Sequence, residues 1–122
     1  MPSPSFVVLY VESPAASSRF YSSLLGRDPV ESSATFVLFA LESGVMLGLW
    51  AKRGVLPPAT APGGTELAFT AAGADEVRSV HADWVTRGLS IAQAPTELDF
   101  GFTFVALDPD GHRLRVFAPS AP

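Results

Sequence analysis

Two ionisable residues stand within runs that should form strands. Arg115 alternates with Leu114 and Val116 in the segment DPDGHRLRVF (108–117), and Glu66 opens the short run ELAFT (66–70). An arginine in such a run either points into water or lines a pocket. Its guanidinium offers five donors and no lone pair, so it suits a carboxylate or carbonyl and repels a cation. Glu66 has wider options: it could ligate a divalent ion, act as a general base if buried among aromatic rings, or pair with Arg115 so that neither charge is desolvated alone. His81 lies in a helical pattern and His112 has the parity opposite to Arg115, so both read as structural or surface residues. Neither a Ser-His-Asp or Cys-His arrangement nor a phosphate-loop or dinucleotide motif occurs in the chain.

Aromatic residues supply the second chemistry. Phe6, Tyr10, Trp50, Phe102, Phe104 and Phe117 converge on one surface if strand parity holds. Flat π-faces there would favour a planar aromatic guest, each stacked pair worth about 0.5–1.5 kcal/mol beyond burial. Trp50 is the leading candidate, and Trp84, at helical spacing with Val77, Val80 and Val85, reads as core. Gly48, beside Trp50, either leaves room for a ligand or marks a bulge. The loop from Thr96 to Gly101 could form a lip carrying Asp99 or Phe100.

The elements that must position these residues are legible from pattern. Phe6 to Val11 is a β-branched and aromatic run, and Ser13-Pro14 provides an N-cap followed by proline at the first helical position. A helix follows, with Phe20, Leu24 and Leu25 at helical spacing and Gly26 at its end. Strands are predicted at Phe36 to Leu41 and Val45 to Trp50, joined by a turn ending at Gly44. Residues 53–64, rich in Pro and Gly, read as a linker. The pattern then restarts: a strand at Glu66 to Thr70, and a helix from Ala74 to Arg87 burying Val77, Val80, His81, Trp84 and Val85. Further strands are expected at Ser90 to Ala92, Phe102 to Leu107 and Arg113 to Ala118. Aligning Gly111 on Gly44 pairs Leu47 with Leu114, Gly48 with Arg115 and Trp50 with Phe117, which describes a duplicated βαβββ unit. In each half, positions such as Val7, Leu9, Val11, Leu47 and Leu49 should face the helix. The opposite face, too apolar for water and too polar for a core, would line a cleft if the two sheets faced each other.

Composition limits the partners. At 122 residues the chain suits one domain, with modules at about 5–52 and 65–119. With 48% hydrophobic and 16% charged residues it is not a disordered sequence. The net charge of −4 and the absence of any basic run argue against nucleic acid and anionic membrane as partners. No cysteine, no signal-like opening and no long apolar run lead to the expectation of a cytoplasmic protein.

The paired βαβββ halves, the FYSSLLG segment (20–26) and the DPDGHRLRVF hairpin resemble the vicinal oxygen chelate superfamily, which includes glyoxalase I, extradiol dioxygenases and bleomycin resistance proteins. The resemblance implies an α+β fold of two tandem βαβββ modules forming a curved mixed sheet with a concave cleft. In metal-dependent members it implies four ligands on the first and last strands of the halves, positions that correspond here to Phe6, Gly48, Glu66 and Arg115. Of these only Glu66 could hold a divalent ion, where a catalytic site needs about three protein ligands. Neither a metal, nor another cofactor, nor a catalytic residue is therefore expected.

Among metal-free relatives, the opening VLYVES…RFYSSLLGRDPV and the GLW strand end are similar to the phenazine antibiotic resistance proteins. That similarity implies a homodimer whose clefts sequester a planar aromatic antibiotic without modifying it. A bleomycin-like drug is cationic, and the modest charge of −4 suits it less. The expected ligand-binding set is Phe6, Tyr10, Gly48, Trp50, Glu66, Phe102, Phe104 and Arg115. The alternatives are a metal-dependent or Glu66-based lyase, isomerase or dioxygenase, and a module that binds no small molecule.

Overall fold

A computed structural model describes residues 2–120. Its backbone contacts divide the chain into two compact units, Met1–Ala61 and Pro62–Pro122. Each is a βαβββ module.

In the first, β1 (Phe6–Val11) leads into α1 (Pro14–Leu25), followed by β2 (Glu31–Ser32), β3 (Phe36–Ala40) and β4 (Met46–Ala51). Ser13 caps α1 through its hydroxyl oxygen, which accepts from the Ala16 N–H at 3.1 Å, and Pro14 follows where no donor is needed. Gly26 ends the helix at φ 66°, its N–H donating to the Ser22 carbonyl at 3.0 Å. A side chain there would clash with its own backbone, so glycine is the residue for that stop. The sheet order is β1-β4-β3-β2, with β1 parallel to β4 and the other pairs antiparallel. α1 packs on β3 and β4. Leu9, Val11, Tyr21, Val37, Phe39, Leu47 and Leu49 are buried in the module's interior. Within α1 the buried residues are Pro14, Ser17 and Tyr21; Phe20, Leu24 and Leu25, expected to form the apolar stripe, are only half-buried beside them.

The second module repeats the plan with β5 (Glu66–Thr70), α2 (Ala74–Thr86), β6 (Ser90–Leu98), β7 (Gly101–Leu107) and β8 (Arg113–Pro119), in the order β5-β8-β7-β6. The hairpin between β7 and β8 is closed by Asp108, whose carboxylate accepts from the N–H groups of Asp110 (2.8 Å) and His112 (2.9 Å). Trp84 of α2 meets Phe69 and Phe104 edge-on at 5.7 and 5.4 Å, and His81 meets Phe104 at 5.1 Å. These contacts join helix to sheet. Val85, expected on the buried stripe, is exposed because the stripe is narrower and centres on Val77 and Trp84.

Two strand readings change. β2 is a two-residue edge strand, too short for a pattern to reveal. β6 continues well past Ala92 to Leu98, through irregularities in register around Gln93. Pro95 is tolerated there because β6 is the edge of its sheet, where a missing N–H breaks no inner ladder. No helix among the described residues is long and apolar enough to cross a membrane.

Candidate functional site

Arg115 sits in β8 between Ala68 of β5 and Val105 of β7, and Val105 in turn neighbours Gln93 of β6. The rank Gln93–Val105–Arg115–Ala68 therefore crosses the whole sheet on one face. Arg115 Nε donates to Glu66 Oε1 at 2.6 Å, and Nη1 donates to Gln93 Oε1 at 3.3 Å and Thr103 Oγ1 at 3.2 Å. Thr103 gives its own hydroxyl proton to the Val116 carbonyl at 2.8 Å, which leaves its lone pairs to accept from the guanidinium. The Arg115 side chain is 15% exposed and that of Glu66 32%. A charge so enclosed is tolerated because it is paired and hydrogen-bonded in several directions.

An aromatic wall adjoins this cluster. Phe100, at the tip between β6 and β7, lies 5.6 Å from Arg115 Cζ and meets Phe117 edge-on at 5.9 Å. Its position depends on Gly101, whose φ of 151° is open to glycine, and a Cβ there would fall 2.0 Å from the Ala118 carbonyl oxygen. Beside the guanidinium a hollow of about 230 Å³ is lined by Ala92, Gln93, Val105, Arg113 and Arg115.

In the first module, Tyr10 and Trp50 are cross-strand neighbours on β1 and β4, with ring centroids 6.2 Å apart at 74°. Phe6 and Tyr10 are 54% and 38% exposed. Gly48 departs from expectation. The space above it is occupied by the Phe36 ring, so that a Cβ on Gly48 would lie 2.8 Å from Phe36 Cζ. The glycine accommodates the chain's own aromatic side chain rather than leaving a vacancy.

Phe104 and Phe102 are also corrected. Phe104 is fully buried against Trp84 and His81, on the helix side of the sheet. Phe102 shares that side: the Arg78 guanidinium of α2 stacks over it at 4.6 Å, and it lines a separate hollow of about 480 Å³ with Gly73, Ala74, Glu97 and Leu98. The reason is register. Leu107, Val105 and Thr103 pair with Arg113, Arg115 and Phe117, so odd positions of β7 share the face of Arg115 and even positions meet the helix.

Gln93 and Thr103 were not singled out from sequence. The signal for Thr103 was present, because the turn at Asp108 to His112 dictates that odd pairs with odd across the hairpin. For Gln93 there was none, since the irregular β6 register hides its parity.

The positions matching the metal ligands of the resembling family do not fit a metal. Phe6 and Gly48 offer no donor atom, Arg115 is a cation, and Glu66 already accepts from Arg115. Among the described residues no group of three His, Cys, Asp or Glu side chains is placed to hold an ion.

Residues 4–116 match the sequence model of the Glyoxalase/Bleomycin resistance protein/Dioxygenase superfamily. The chain is 26% identical over 116 residues to the phenazine antibiotic resistance protein EhpR of Enterobacter agglomerans, spanning 93% of this chain and 89% of that one. It is 48% identical to protein ATC0852 of Agrobacterium tumefaciens, whose solution structure superposes with a TM-score of 0.92 over 99% of this chain and 100% of that one. A glyoxalase/bleomycin resistance protein/dioxygenase family enzyme of Burkholderia phytofirmans shares the fold at 20% identity, with a TM-score of 0.83 and coverage of 98% and 100%. Matched nearly from end to end, and built of two βαβββ modules of the same topology, the chain belongs to the Glyoxalase/Bleomycin resistance protein/Dioxygenase superfamily.

Proposed function

We propose that this protein captures a planar aromatic small molecule, an antibiotic of the phenazine kind, and sequesters it without a metal and without chemical change. A homodimer in the cytoplasm is part of the same reading. One observation carries it. At a position where metal-dependent relatives would place a ligand, the Arg115 guanidinium stands 2.6 Å from the Glu66 carboxylate, and the Phe100 ring lies beside it. Such a constellation offers hydrogen-bond donors and π-faces, the groups that hold a flat heteroaromatic guest. A relative at 26% identity is an antibiotic resistance protein, which points to the same class of ligand. Within the first module, exposed Phe6 and Tyr10, with Trp50 against Tyr10, form an aromatic surface of their own.

The test is a titration with phenazine followed by tryptophan fluorescence. Trp50 is only partly buried and should be quenched, whereas Trp84 lies in the core and should respond little. Trp50→Ala should weaken binding by about tenfold or more, equivalent to about 1.4 kcal/mol, with the melting temperature little changed. Prior dialysis against EDTA should leave affinity as it was. No saturable quenching, or recovery of a chemically altered ligand, would refute the proposal.

A further inference from the structure

We infer that Arg113 and Arg115 together form a subsite for a single carboxylate, so that the ligand is a planar aromatic monoanion. The inference deepens the capture reading above and rests on it. Both arginines project from β8 on the face away from α2, two residues apart, and both line the hollow of about 230 Å³. That volume falls below the roughly 300–1,000 Å³ of sites that enclose a drug-sized molecule, so the hollow suits a ligand's polar end and not its whole body.

The donors are already in place. Arg115 is fixed by Glu66, Gln93 and Thr103 through Nε and Nη1, while among the described residues its Nη2 makes no hydrogen bond. The Arg113 side chain makes neither a hydrogen bond nor an ion pair with any described residue, although Glu66 is its direct cross-strand neighbour, because that carboxylate is turned to Arg115. Of the two guanidinium groups only that of Arg115 is paired with a carboxylate, which leaves the positive charge of Arg113 without a counter-charge among the described residues. No acidic side chain among the described residues lines the hollow. In a chain of net charge −4 this local excess runs against the average. A monoanion would neutralise it with charge-assisted bonds from a guanidinium whose fork is already oriented. A dianion such as a phosphate monoester would bring a second negative charge towards Glu66, which selects carboxylate. The Phe100 ring beside Arg115 offers the adjoining aromatic body a surface.

The experiment compares phenazine-1-carboxylate, phenazine-1-carboxamide and phenazine by isothermal titration at low and high salt. The carboxylate should bind about tenfold or more tightly than the near-isosteric amide, and the ratio should shrink as salt rises. Arg113→Gln alters an exposed side chain and should keep the fold, checked by its melting temperature. It should shrink the ratio of acid to amide affinity several-fold, towards one. Equal affinities for acid and amide in the native protein, or an undiminished ratio in R113Q, would overturn the carboxylate subsite and leave capture standing. Failure of all three compounds to bind would overturn both.

Discussion

Glu66 and Arg115 show how one pair can be costly to break and cheap to replace. The guanidinium is mostly enclosed, so removing its counter-charge strands a cation that water can only partly solvate. Glu66→Gln should lower stability by about 1–3 kcal/mol, read from urea unfolding midpoints. Combining it with Arg115→Met should recover much of that loss, because the stranded charge is gone. An additive double variant would show that the two groups act independently. Arg115 was identifiable in the sequence as an arginine out of place, but its partners Gln93 and Thr103 were not, since they reach it from two other strands.

At the scale of elements, the tip between β6 and β7 depends on one residue. Gly101 lies within 2.0 Å, measured from an added Cβ, of the Ala118 carbonyl oxygen, and backbone cannot step aside as a flexible side chain can. Gly101→Ala should therefore cost at least about 2 kcal/mol, seen as a fall in melting temperature. Loss of ordered Phe100 should accompany it, visible as altered aromatic NMR shifts of Phe100 and Phe117. Gly48→Ala is a milder case, because the atom it meets belongs to the end of the Phe36 side chain. The two glycines look alike in the sequence and differ in what stands over them.

For the molecule as a whole, duplication has been followed by divergence. Phe6 and Glu66 open the first strands of the two modules, and Gly48 and Arg115 stand third in the last strands. One module fills these positions with apolar or absent side chains, and the other with an ion pair. β1 is the edge of its sheet and leaves Phe6, Val8 and Tyr10 at 54%, 40% and 38% exposure, a surface consistent with the proposed homodimer. Native mass spectrometry should find twice the 12.9 kDa chain mass. A monomer at micromolar concentration would remove the dimer from the proposal.

Periodicity and punctuation sufficed to locate β1, α1, β5 and α2 and to reveal the repeated plan, because alternation, caps and stop glycines are written in neighbouring residues. Tertiary structure decided which aromatics meet the helix, that Phe36 covers Gly48, and that Gln93 and Thr103 hold Arg115. Those facts follow from register between strands, and an irregularity such as the one in β6 shifts register without leaving a mark in the local pattern.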